Sequence, residues 1–106
     1  MYEYKAVVLR VVDGDTAHLE VDLGFDVKRK DSFRFYGINA PETSTSEGKV
    51  SKAWLEKLLP PGTEVTVTTF KDKREKYGRY LGVIWLKGEN INQRCVTEGY
   101  AKPYMV

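Results

Sequence analysis

Residues 16–23 alternate without interruption. Ala17, Leu19, Val21 and Leu23 lie on one side of an extended chain, and Thr16, His18, Glu20 and Asp22 lie on the other. That two-residue period belongs to a strand with one apolar and one polar face. Just before it, the valine-rich residues 4–12 read as another strand. Asp13-Gly14-Asp15 between them is a tight turn, because Gly and Asp accept the backbone angles a turn requires. Two antiparallel strands joined by that turn form a hairpin.

The same plan continues downstream. Gly24 ends the second strand, a charged stretch follows, and residues 32–37 form a third strand. Phe33 and Phe35 then point to one side, and Arg34 and Tyr36 to the other. Asn39-Ala40-Pro41-Glu42 is a loop, since the residue before proline is pushed out of helical geometry. Ser44 and Glu47 are spaced as a capping box. Val50, Ala53, Trp54, Leu55, Leu58 and Leu59 recur at helical spacing, until Pro60-Pro61-Gly62 stops the helix. Residues 64–70 and 80–86 are strands four and five, and residues 90–98 a short second helix stopped by Gly99. Ile91, Cys95 and Val96 are expected to face the core, and residues 100–106 to form a tail.

Three strands, a helix, two strands and a helix predict a mainly β, α+β domain. A small closed or partly open barrel buries the alternating faces and removes most strand edges. An OB-like five-stranded barrel with two packed helices is therefore expected, as one domain over residues 1–106.

Composition narrows the chemistry. One cysteine, Cys95, permits neither an intrachain disulfide nor a Cys-rich metal site, and one histidine, His18, permits no His-rich zinc site. Any metal must therefore be held by oxygen. No apolar stretch is long enough to span a membrane, and the N-terminus lacks the layout of a signal peptide. A reducing cytoplasm is the expected location, although a processed, secreted form would show the same residues. A net charge of +2 identifies no partner. Lys28-Arg29-Lys30 and the run Lys71, Lys73, Arg74, Lys76, Arg79 would suit a polyanion. Two solvated loops explain them more simply.

Several polar residues stand where packing does not need them. Asp15 sits in the first turn, where a local backbone role accounts for it unless another oxygen donor comes near. Asn39 and Glu42 offer such donors on the loop that leaves strand three, yet a proline turn with a solvated Glu fits as well. Arg34 precedes that loop on the same strand, where a solvent-facing arginine would look the same; a semi-buried one needs an anion. Lys76-Tyr77-Gly78-Arg79 joins two cations, an aromatic ring and a hinge before strand five. Carboxylate and amide oxygens can hold a hard cation, and paired guanidinium groups can clamp a phosphate. Together they point to phosphodiester hydrolysis.

Five segments, in order, resemble the staphylococcal-nuclease-like (thermonuclease) domain. They are Val12-Asp13-Gly14-Asp15-Thr16, residues 33–42, residues 58–65, Lys76-Tyr77-Gly78-Arg79, and residues 92–101. The resemblance implies calcium-dependent hydrolysis of DNA or RNA, with single strands the expected substrate form. It implies that Asp15, Asn39 and the carbonyl of Ala40 hold calcium and that Glu42 positions or deprotonates the attacking water. Arg34 and Arg79 would hold the phosphate, Lys76 and Tyr77 a neighbouring phosphate, and Tyr104 would lie near a base.

Two departures follow. The family ordinarily has aspartate where this chain has Asn39, so calcium affinity is expected to be lower or metal preference shifted, because ligand charge tunes affinity. The family domain also continues into a C-terminal helix beyond the position of Val106. A smaller stable core, a dimer that covers the gap or a shortened chain would each account for this, and a monomer or weak homodimer is expected. The competing reading is a catalytically weak or inactive nucleic-acid-binding OB module.

Overall fold

A computed structural model describes residues 2–74 and 77–104, with residues 70–74 described by backbone alone. The elements are β1 (Tyr2–Asp13), β2 (Thr16–Asp22), β3 (Lys28–Phe35), the short β4 (Ile38–Asn39), α1 (Ser46–Leu58), β5 (Glu64–Arg74), β6 (Tyr80–Leu86), the short β7 (Glu89–Asn90), α2 (Ile91–Thr97) and the short β8 (Lys102–Pro103). The sheet runs β3-β2-β1-β5-β6-β7, and β3 also pairs in parallel with β6. That last pairing closes five long strands into the expected OB-like barrel, with two helices packed on it. At the closure Phe35 pairs with Gly82. A Cβ at Gly82 would sit 2.8 Å from the Val67 side chain of β5 and 3.4 Å from the Phe33 ring of β3, so glycine leaves room for both side chains at this point. Among the described residues no helix is long and apolar enough to cross a membrane.

The core is the inner faces of the strands plus one stripe from each helix. Val8, Leu19, Phe35, Leu55, Leu59, Val67, Ile84, Ile91 and Cys95 are all but fully buried, each burial stabilising by roughly 1.5–3 kcal/mol for the larger side chains. Burial pushes the Cys95 thiol up to about 12, so it packs as a small hydrophobe. Buried Asn92 is a polar hub. It accepts from Ile84 N at 3.0 Å and donates to the carbonyls of Tyr36 and Gly82, tying α2 to the closure.

Some boundaries differ from the sequence reading. Strand three begins at Lys28, because Phe25 and Asp26 take positive φ (55° and 60°) in a tight turn that brings Val27 N onto Gly24 O. The basic run is consequently paired strand rather than loop. Lys28 lies opposite Asp22 and Lys30 opposite Glu20, and Arg29 pairs with Asp31 at 2.5 Å. Each of these three cations therefore has an acidic residue opposite or beside it. The side chains of Lys71, Lys73 and Arg74, and all of Lys76, lie outside the described residues.

The first helix is capped by Thr45, not Ser44, with the Thr45 hydroxyl accepting from Gly48 N at 3.0 Å. Its buried stripe is Gly48, Ser51 and Leu55, followed by Leu59, while Val50 is 57% exposed. Hydrophobicity misled here because the N-terminal half of the helix packs so close that only small residues fit. Trp54 is half-buried and stacks on Tyr100 with ring centres 4.5 Å apart. The second helix is capped by Asn90 and ends in paired 6→1 and 5→2 bonds through Gly99 (φ 84°). The tail contributes β8, which pairs with β4.

Candidate active site

Backbone geometry brings the first turn, the end of β3 and the following loop together. Thr16 lies opposite Arg34 in the β2–β3 ladder. Phe35 N donates to Asp15 O at 2.7 Å, and Ala40 N donates to Asp15 Oδ2 at 2.9 Å across 25 residues. Gly14 makes this approach possible, since a Cβ there would sit 2.7 Å from Ala40 Cβ and 2.9 Å from Ser51 Cβ.

The side chains form one connected chain. Arg34 Nη1 donates to the carbonyls of Ile38 (3.0 Å) and Phe35 (3.3 Å) and lies 3.5 Å from Asp15 Oδ2. Its Nη2 donates to Asn39 Oδ1 at 3.3 Å. Thr16 Oγ1 donates to Asp15 Oδ1 at 3.1 Å, and Arg79 Nη1 donates to Thr16 Oγ1 at 3.2 Å. Asp15, Thr16, Arg34, Asn39 and Arg79 are thus joined without a gap. Both arginines also carry a tyrosine: Tyr104 lies 5.7 Å from Arg34, and Tyr77 lies 5.5 Å from Arg79. Tyr104 is held there by its amide, which donates to Gly37 O at 2.8 Å.

Glu42 is exposed at the rim. Its main-chain carbonyl accepts from both the amide and the hydroxyl of Thr45, at 2.9 and 2.7 Å, so the helix cap fixes the segment that carries it. Among the described residues its carboxylate is ion-paired with neither Arg34 nor Arg79. Lys76 lies outside the described residues. Cavities of about 500 and 550 Å³ lie on other faces and include none of Asp15, Arg34, Asn39, Glu42 and Arg79.

The electrostatics are those of crowded carboxylates. Asp13 is pushed up to about 6, first by burial and then by the Asp15 carboxylate, while the Asp15 amide, donating to Asp13 Oδ1 at 3.1 Å, works the other way. Among the described residues no three His, Cys, Asp or Glu side chains form a ready metal cage. The side-chain oxygen donors here are the Asp15 carboxylate and the Asn39 amide, both held by the Arg34 guanidinium, while the Ala40 N–H donates to Asp15 Oδ2. That set fits a hard cation of low ligand charge and does not fit zinc.

Thr16, Thr45 and Gly48 support the site, and nothing local marks them. Thr16 belongs by alternation to the polar face of β2, yet it is 2% exposed. Its partner Arg79 is 63 residues away, so no window of sequence shows the pairing.

The fold is an OB-like barrel on which the Arg34 and Arg79 guanidinium groups meet the oxygens of Asp15, Thr16 and Asn39. Residues 32–106 match the family described as staphylococcal nuclease homologue, and the chain belongs to that family. It is 36% identical over 116 residues to Endonuclease YhcR of Bacillus subtilis (strain 168), covering 98% of this chain and 9% of that protein. It is 39% identical over 98 residues to an uncharacterized endonuclease of Escherichia coli O157:H7, covering 92% and 59%. It is 29% identical over 101 residues to Thermonuclease of Staphylococcus hyicus, covering 90% and 56%. The chain therefore spans a small part of the first relative and a little over half of the other two.

Proposed function

We propose that this chain is a nuclease that hydrolyses phosphodiester bonds of DNA or RNA at the site around Asp15. The continuous chain Arg79–Thr16–Asp15–Arg34–Asn39 carries this reading, because it sets two permanent cations beside an oxygen-donor site. A phosphodiester is anionic and repels an incoming water. Arg34 and Arg79 neutralise it and favour the more highly charged transition state. Glu42 accepts the proton of the attacking water at the exposed rim.

Asp15, Asn39 and the Ala40 carbonyl would hold calcium. Bound there, it would supply positive charge at the phosphate and ordered water. Tyr77, with Lys76, would contact a neighbouring phosphate, and Tyr104 would lie beside a base of the substrate. Single strands suit this face because their bases are open to such rings.

Incubation with single-stranded DNA and RNA, in calcium and in chelator, beside Glu42→Ala, tests the proposal. Cleavage that needs calcium and is lost in Glu42→Ala is expected. Binding without cleavage would instead establish a nucleic-acid-binding module. Cleavage indifferent to both changes would come from a contaminant.

A further inference from the structure

We infer that Thr16 is a positioning residue that couples the Asp15 site to the Arg79 half of the clamp. The inference rests on the nuclease reading for its catalytic consequence and on geometry alone for the coupling.

The direction of the hydroxyl follows from its two partners. A guanidinium has N–H donors and no acceptor, so Thr16 Oγ1 must accept from Arg79 Nη1 at 3.2 Å. The hydroxyl has one proton, and Asp15 Oδ1 at 3.1 Å is an acceptor placed to take it. The result is a polarised relay from a cation through a hydroxyl to a carboxylate. Bonds in such a series strengthen one another, more so away from water, and Thr16 is 2% exposed. A change of charge at Asp15, such as a cation arriving there, weakens the pull on the hydroxyl proton and so alters the bond that holds Arg79.

Several features separate this role from packing. The ladder around Thr16 is built from backbone, Thr16 pairing with Asp13 on β1 and with Arg34 on β3. Valine would fill the same space and keep the strand preference. Only the hydroxyl is specific to the relay. Threonine is also stiff at χ1, which holds Oγ1 between the two partners.

A mutant cycle tests it: Thr16→Val, Arg79→Ala and the double variant, assayed on a single-stranded octanucleotide in calcium. Thr16→Val is expected to lower kcat about tenfold, the lower end for losing a hydrogen bond to a charged group, with KM within about twofold of the parent. In the Arg79→Ala background the same change is expected to cost less than about twofold. Thr16→Ser is expected to restore most of the activity. Equal losses in both backgrounds, or full activity in Thr16→Val, would overturn the inference. Should Thr16→Val fail to melt cooperatively, Thr16→Ala replaces it in the cycle. Should the parent protein cleave nothing, the nuclease reading falls and the cycle is read from octanucleotide binding in chelator. Non-additive losses of binding there still support the coupling, while additive losses or no binding refute it.

Discussion

Arg34 donates from Nη2 to Asn39 Oδ1 at 3.3 Å while its Nη1 lies 3.5 Å from Asp15 Oδ2. One guanidinium thus spans Asp15 and Asn39, the two side chains proposed above to hold a cation. An amide at position 39 keeps that hydrogen bond without adding negative charge.

Asn39→Asp therefore has a defined outcome. A carboxylate adds charge to the donor set, and at surface-like dielectric one extra charge a few ångströms away is worth on the order of 1 kcal/mol or more. The calcium concentration giving half-maximal cleavage is expected to fall about tenfold. Titration of activity and of heat against calcium measures this. An unchanged midpoint would refute a charge-limited site.

Arg34 is held through a planar fork, which a lysine cannot imitate. Arg34→Lys keeps the charge but cannot serve Ile38 O, Phe35 O and Asn39 Oδ1 together. We expect a stability loss of about 1–2 kcal/mol in urea melts and a fall in kcat/KM of roughly 100-fold. Full activity in the lysine variant would show that charge alone suffices.

Gly48 supports Glu42 from beneath. A Cβ at position 48 would sit 1.8 Å from Glu42 O and 2.8 Å from Pro41 O, both backbone atoms that cannot swing aside. Gly48→Ala should destabilise the fold by about 3 kcal/mol, the upper end for overpacking. It should also lower cleavage well below its melting temperature, as Glu42→Ala does. Ala53→Gly, on the exposed face of the same helix, is the control: it costs about 1 kcal/mol of helix propensity and leaves turnover unchanged.

Asp13 makes the metal-free fold sensitive to pH. Its carboxyl is raised from 3.8 to about 6, chiefly by burial. Between those values the folded chain keeps a proton that the unfolded chain releases. Stability therefore declines as pH rises from 3.8 towards 6 and stays lower above it. Asp13→Asn, which can still accept from the Asp15 amide, is expected to melt several degrees higher at pH 7 in chelator, with the gain vanishing below pH 3.8. Equal melting temperatures at pH 7 would contradict the burial of a charged Asp13.

Local patterns were dependable where one element answers to its own residues. The alternation of β2 holds from Ala17 to Asp22, though Thr16 is buried and Leu23 exposed beyond the strand end. The Asp13-Gly14-Asp15 turn, the Pro60-Pro61-Gly62 stop and the Gly99 terminus appear as read. Readings failed where a neighbour far along the chain decides. Lys28-Arg29-Lys30 is strand because β2 lies opposite it. Thr45 displaces Ser44 as cap because its hydroxyl can donate to Glu42 O while accepting from Gly48 N. Val50 is outside and Ser51 inside because the start of the helix sits against the main chain of Pro41 and Glu42, and Ser51 Oγ donates to Tyr100 O at 2.7 Å.

By itself, then, the sequence determined the kinds and order of elements and the inventory of charged and oxygen-bearing side chains, because turns, periods and caps are set within a few residues. Only the tertiary structure decided that Arg79 reaches Thr16, that Ala40 N caps Asp15, and that Arg34 bridges Asp15 and Asn39. Those contacts depend on closing β3 against β6 and folding the loop after β3 onto the first turn. Such long-range closure leaves no trace in local spacing.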